Sequence, residues 1–273
     1  NNSQSYPYYI IAKDNDGKLS SYTERSATPV VYVLPYSLKL GEDRGIVIGD
    51  LPDSFWQNLT SFTFECWIKT GFTAGRWRLF NQSGVFAFRM NTRSNYGYYS
   101  GAMIAPFKNP SGDNSYAHAN HDTGFGDNNW HHIAIKGTFG QPGTYDILLD
   151  GISERDEHYG TVAGSPGVPS GFMSIIGGWD GSSLGGHYNN TFDVLVFNPR
   201  IWTSLRTDQQ INDNMNKLLN PANHSDLYVH YSLLGGSGGT VTDDVGNWDG
   251  DLKNTTTPGD FSDFWKSDIP SGF

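Results

Sequence analysis

Two stretches of the chain set aromatic rings among planar polar side chains. In the first, Tyr96, Tyr98 and Tyr99 stand beside Asn91, Arg93 and Asn95; in the second, Trp179, Asp180, His187 and Tyr188 stand beside Asn189 and Asn190. Flat rings match the apolar face of a pyranose, and amides, carboxylates and guanidinium groups match its hydroxyls. The chemistry these residues suggest is recognition of a sugar without turnover. The plainer reading is that half of the rings are core or simply exposed, since single surface aromatics are ordinary.

The histidines and the one dense run of acids offer other chemistry, and their spacing argues against it. His131 and His132 are adjacent on a strand-like run and so point to opposite faces. Neither they nor His118 and His121 have a thiolate partner for zinc, so core or hydrogen-bonding roles are expected. Glu154, Asp156 and Glu157 lie in a charge run that is by default a solvated face. Glycoside hydrolysis needs two carboxylates a few ångströms apart. Glu154 and Asp156 would share one face of a strand, but Gly160 close behind reads as loop.

The elements that must position these residues are mostly strands. Aromatics make up 14% of residues and 33 residues are Gly, with no Ala- or Leu-rich helical pattern, so many short strands and turns are expected. Asn128–Gly151 reads as a hairpin: Ile133 and Ile135 share a face, and Tyr145, Ile147 and Leu149 alternate with Asp146, Leu148 and Asp150. In Ser61–Lys69, Phe62, Phe64, Cys66 and Ile68 share the inner face, with Thr63, Glu65, Trp67 and Lys69 opposite. Glu65 beside a Trp is expected to pair with a cation or a backbone donor, and Cys66 to act as a small buried hydrophobe. Phe192–Phe197 is a further strand, broken by Asn198-Pro199. A helix is expected from Leu205 to about Leu219, capped by Thr203 or Ser204. The long stretch from Arg93 to Asn129 is too aromatic for disorder and is expected to carry a hairpin of its own. Tyr6–Thr28 is a hairpin around Asn15-Asp16-Gly17.

The formal net charge is −10 and the basic residues are scattered. Nucleic acid and anionic membranes, which both demand a basic stripe, are therefore poor partners. The same argument disfavours sulfated glycans and leaves neutral sugars. No apolar run approaches the ~20 residues of a membrane span, and no charged-then-apolar leader opens the chain. Without an initiator Met, the chain reads as a fragment of something longer.

Taken together, the runs WHHIAI (Trp130–Ile135), YDILLDG (Tyr145–Gly151) and GGWDG (Gly177–Gly181) resemble laminin G-like, concanavalin A-like jelly-roll domains. Ser61–Lys69, Thr191–Trp202 and the D-x-x-G-N-x-x-G-x-L segment from Asp243 to Leu252 are similar to the same family, in the same order. The resemblance implies an all-β fold, a two-sheet antiparallel jelly-roll sandwich over residues 30–273 with one short helix in its last third. Residues 1–29 are expected to be a separate hairpin, or, by the alternation of Tyr8, Ile10 and Ala12, a remnant resembling the end of a fibronectin type III domain. One structural Ca²⁺ is implied, with Glu42, Asp43, Asp193 and Asp243 as its candidate oxygen ligands. Each acid has a plain alternative as a turn residue or hydrogen-bond acceptor. The fold also hosts polysaccharide hydrolases and lyases. This chain lacks their Glu-x-Asp-x-Glu, Arg-Glu-Arg and Gln-x-His strands. The expected function is thus a non-catalytic glycan-binding or adhesion module of a larger secreted, cell-surface or virion protein. Its partners would be a glycan or cell-surface polysaccharide and the other domains or subunits of that assembly. The alternatives are a structural module of a phage tail fibre or surface protein, and a hydrolase or lyase.

Overall fold

The computed structural model describes residues 6–10, 23–27, 35–41, 43–48, 51, 53–72, 76–91, 103–108, 114–119, 121–159, 165–167, 169, 172–176, 178–179, 184–185 and 193–273. Two compact units emerge, residues 1–34 and residues 35–273. In the first, β1 (Tyr6–Ile10) and β2 (Thr23–Ala27) pair antiparallel from Tyr6↔Ala27 to Ile10↔Thr23. Two paired strands occur in many folds and do not identify a fibronectin type III remnant.

The second unit begins with β3 (Ser37–Gly41), β4 (Arg44–Ile48), α1 (Asp53–Asn58), β5 (Ser61–Lys69), β6 (Arg76–Gln82) and β7 (Phe86–Asn91). It continues through β8 (Met103–Lys108), β9 (Asn114–Ala119), β10 (Trp130–Thr138), β11 (Gln141–Leu149), β12 (Ile152–Ser153), β13 (Glu157–Tyr159) and β14 (Met173–Ile175). The last elements are β15 (Gly178–Trp179), β16 (Leu184–Gly185), β17 (Asp193–Trp202), α2 (Asp208–Asn214), β18 (Leu227–His230), β19 (Thr240–Val241), β20 (Gly250–Asn254) and β21 (Trp265–Lys266).

Apart from β15 and β16, which pair with each other, these strands form an all-β sandwich of two antiparallel layers joined at the tight β3–β4 turn, where Gly41 faces Arg44. The front layer runs β12-β11-β10-β5-β17-β3-β21. The back layer runs β19-β20-β4-β14-β6-β7-β8-β9-β13. The C-terminal segment therefore closes the same sandwich, β20 on β4 and β21 on β3. β17 changes partner halfway: Asp193–Val196 pairs with β3, and Arg200–Trp202 with β18. The switch falls at Asn198-Pro199, where Asn198 takes φ 55° and the register against β5 shifts. Proline has no N–H for the ladder and is confined to such irregular points.

Period-two alternation builds the core. Phe62, Phe64, Cys66 and Ile68 from β5 are fully buried with Ile133, Ile135, Tyr145 and Ile147 from the hairpin. The layers interlock through rings, Phe64 stacking on Phe86 at 4.8 Å and lying 5.9 Å from Phe80. Deeply buried rings of this size dominate core energetics.

The outer face of the front layer is roofed as well. Ala134 and Leu148 close on Ile211 of α2, the Trp67 indole donates to the Met215 carbonyl at 2.8 Å, and Phe273 packs on Phe197 at 4.7 Å. The helix in this roof is shorter than expected. Thr203 and Ser204 do not cap it, because both are bonded to Asp226 instead. Thr207 is the N-cap, in a capping box with Gln210. At the other end, the Asn214 and Lys217 carbonyls are taken by Arg200, so the helix stops. Leu205 and Leu218 stay 36% and 39% exposed and supply no apolar stripe. Thr207→Ala is expected to cost about 1 kcal/mol of stability in chemical denaturation; an unchanged midpoint would show that the cap is idle.

Candidate functional site

Strand direction gathers a set of loops at one end of the sandwich. Asp193 at the start of β17 faces Gly41 at the end of β3, and Trp130 at the start of β10 faces Lys69 at the end of β5. In the back layer Arg76 faces Asn91, and β14 pairs with β6 in the direction that makes it parallel to β7. The C-terminal ends of β7 and β14 therefore run toward this same rim. Those ends lead into the two aromatic stretches of the sequence.

On this rim lies an open cleft of about 490 Å³ whose walls include Lys39, Lys69, Phe72, Asn128, Asp193 and Asp268. Its ammonium groups are matched by carboxylates. Lys39 lies 3.1 Å from Asp193 and 3.3 Å from Asp263, and Lys69 lies 2.7 Å from Asp268. Asp268 also accepts from the Trp130 indole at 2.9 Å. The bond to Asp193 raises the Lys39 pKa against the opposing effect of burial. Burial pushes the Asp268 carboxyl up, but Lys69 and Trp130 outweigh it and hold it below the usual range.

The backbone of the cleft is cross-braced. Thr70 Oγ1 donates to the Asp193 carbonyl at 2.9 Å and accepts from Phe72 N at 3.1 Å, while Asn128 N donates to the Thr70 carbonyl at 2.9 Å. Asn128 sits in the left-handed region at φ 66°, a conformation that Asn tolerates better than most residues. Thr70 is buried and its hydroxyl is spent on these braces, so the site presents a ring, an amide and two ammonium–carboxylate couples. Such a set can hydrogen-bond several hydroxyls at once and carries no net positive field.

Below the roof, a buried polar network fixes the front layer. Arg200 reaches Glu65 at 3.2 Å, the Trp202 indole donates to the same carboxylate at 2.8 Å, and His132 lies 3.4 Å from its other oxygen. Burial would raise the Glu65 carboxyl, but His132, Arg200 and Trp202 together bring it down to about 2. Asn198 then links Arg200 to His230. Burial, reinforced by the Arg200 charge, lowers the His230 pKa to about 3. Glu65 thus has the cationic partner expected for it.

Of the aromatic-loop residues, Arg93, Tyr96, Tyr98, Tyr99, Asp180, His187 and Tyr188 lie outside the described residues, as does the side chain of Trp179. Glu42 lies outside them too. The three described calcium candidates do not form one site. Asp43 and Asp193 are on the rim, beside Arg44 and Lys39 respectively. Asp243 belongs to the opposite end of β4, where β20 begins against Ile48. Its carboxylate accepts four backbone N–H groups, from His230, Val245, Asn247 and Trp248, at 2.9–3.2 Å. Donors on both oxygens leave no face for a cation, and no cluster of three metal-ligating residues occurs among the described residues. Glu154 and Asp156 are both engaged by the His121 ring. Sequence reasoning missed Lys39, Lys69, Phe72, Asn128 and Asp268. The available signal was Thr70-Gly71-Phe72 and Asn128-Asn129, polar or Gly-containing steps flanking the alternating runs of β5 and β10.

Comparison with known proteins places this geometry. The family described as the concanavalin A-like lectin/glucanases superfamily matches residues 40–212, more than half of the chain. No curated protein sequence matches it. Among solved structures, a candidate carbohydrate-binding protein from Bacteroides ovatus aligns with a TM-score of 0.56 and 18% identity, over 96% of this chain and 72% of that one. The binding domain of botulinum neurotoxin serotype C1 aligns with a TM-score of 0.50 and 11% identity, over 85% of this chain and 50% of that one. At such identities these likenesses establish the fold.

Proposed function

Because the chain belongs to the concanavalin A-like lectin/glucanases superfamily, we propose that it is a non-catalytic glycan-binding module. The observation that carries this reading is the rim cleft, with Phe72, Thr70 and Asn128 set beside the couples Lys39–Asp193 and Lys69–Asp268. A pyranose offers an apolar face for a ring and vicinal hydroxyls that both donate and accept, which is what an ammonium–carboxylate couple requires. Each cleft lysine is already neutralised by an aspartate, and the whole chain carries −10. Both facts favour a neutral or weakly charged glycan, bound with little dependence on salt. The names of the structural neighbours point the same way, one to carbohydrate binding and one to a toxin's binding domain. We include the stretches Tyr96–Tyr99 and Trp179–Tyr188, which follow β7 and β14 in the chain, in the proposed contact surface. The reading includes a place in a larger extracellular or virion-surface protein, and it routes nothing through calcium.

A glycan array at two salt concentrations, with and without Ca²⁺, tests it. Hits are expected in both salts, and Phe72→Ala and Asn128→Ala should each weaken binding by about 1–3 kcal/mol, the scale of a central contact residue. Tyr98→Ala and Trp179→Ala measure the share of those two stretches. A blank array, or binding untouched by all four substitutions, would turn the reading to a structural module. Release of reducing or unsaturated sugar ends, abolished at Glu154 or Asp156, would turn it to an enzyme.

A further inference from the structure

Two histidines at the ends of one rim segment each bridge a pair of carboxylates. His121 meets Glu154 through Nε2 at 2.8 Å and Asp156 through Nδ1 at 3.2 Å. His131 meets Asp150 through Nδ1 at 2.8 Å and Asp127 through Nε2 at 3.0 Å. An ionised carboxylate only accepts hydrogen bonds. Both nitrogens of each ring must therefore carry protons to keep all four contacts, so the fully clamped form is the imidazolium. A neutral imidazole has one N–H, so losing the second proton leaves a lone pair facing an anion.

The carboxylates come from three places. Asp127 belongs to the segment itself, Asp150 to the turn after β11, and Glu154 with Asp156 to the link between β12 and β13. Among the described residues, these four are the charged groups that face the two rings. The clamps tie segment 121–131 to residues 150–156, and this segment carries Asn128 into the wall of the cleft. Between the clamps, Phe125 is the buried anchor.

We infer that segment 121–131 is a proton-operated wall of the cleft: doubly protonated His121 and His131 hold it in place, and loss of a proton at rising pH releases it and weakens ligand binding. The release loosens a segment that the Asn128 N bond to the Thr70 carbonyl and the buried Phe125 still tether; its effect on binding rests on the glycan reading above. The bond to Glu154 raises the His121 pKa above 6.5, and the bond to Asp150 does the same for His131, in both cases against burial. The clamp contribution is therefore complete at pH values below 6.5 and is lost as pH rises through the higher folded-state values.

The test follows the histidine ring resonances by NMR, together with amide exchange corrected for its intrinsic pH dependence, from about pH 6 to about pH 9. Both rings should titrate above 6.5, and exchange in 121–131 should rise roughly tenfold more than in β5, the response of a locally opening segment. The double variant His121→Asn/His131→Asn should exchange fast at every pH. Rings titrating at or below 6.5, or exchange in 121–131 that tracks β5, would overturn the inference. If the variant does not fold, the wild-type titration and exchange still decide. Affinity for an array hit should fall about fivefold to tenfold over the same range, the lower end of site-to-site coupling. Exchange that rises while affinity stays flat would overturn the coupling. A chain that binds no glycan at any pH would remove the cleft reading and leave the segment's release to be judged by exchange.

Discussion

Arg200→Ala is expected to destabilise the fold by about 3–5 kcal/mol, the cost of leaving a buried charge without its partner. Arg200 and Glu65 are 1% and 2% exposed and 3.2 Å apart. Removing the guanidinium also abandons the Asn214 and Lys217 carbonyls that it holds where α2 ends. The damage should thus reach the roof as well as the sheet, with a melting temperature lower by roughly 10 °C for a unit of this size. Replacing both partners by methionine should recover much of the loss, because buried ion pairs often add little over a well-packed apolar pair. Lys253→Ala, which breaks an exposed pair with Asp251 at 3.3 Å, should cost less than ~1 kcal/mol. If Arg200→Ala proves no worse than Lys253→Ala, the network is not what fixes the front layer.

Acid should unfold the sandwich through the same network. Unfolded Glu65 titrates near 4.5 but in the fold only near 2, so its contribution is complete above 4.5 and is lost as pH falls toward 2. The full loss is roughly 3 kcal/mol at 1.36 kcal/mol per unit. His230 stays neutral in the fold down to about 3, while the unfolded residue takes its proton near 6.5. Its contribution therefore stands above 6.5 and drains as pH falls from there toward 3. His121 and His131 act with the opposite sign, their contribution fading as pH rises above 6.5. Stability from urea titrations should peak near neutrality, decline from about pH 6.5 and decline more steeply below about 4.5. A curve flat from pH 7 to pH 4 would show that His230 is not held neutral. Direct NMR titration of the Glu65 carboxyl then separates the two groups.

Much of the fold was legible because strands write their two faces into the sequence. The alternation in Ser61–Lys69 places Phe62, Phe64, Cys66 and Ile68 in the core and Glu65 on the roofed side, as observed. The adjacency of His131 and His132 already put them on different faces, and they serve different clusters, a rim clamp and the Glu65 network. The family resemblance supplied what alternation cannot, the order in which strands assemble into a sandwich. α1 was not anticipated: its six residues are too few for a helical period to show, and Phe55 and Trp56 are held by tertiary burial. The long helix expected after Leu205 failed for a related reason. Helical spacing was present, but Arg200 from a neighbouring strand takes the carbonyls at its end, and a tertiary bond outweighs weak propensity.

The candidate site divides along the same line. By itself the sequence marked the strands with clear alternation and their buried faces, and its net charge of −10 led to the expectation of an uncharged ligand. It also marked Asp193 as a residue of interest, though as a metal ligand rather than a lysine's partner. Only the tertiary structure decided that Lys39, Lys69, Phe72, Asn128, Asp193 and Asp268 line one cleft, and that Asp243 lies at the other end of β4 with its oxygens filled by backbone donors. The reason is physical. Local periodicity reports which way each side chain leaves its own strand, whereas a cleft is made where antiparallel strands distant in sequence end side by side, and that is set by register and strand order across the whole sheet.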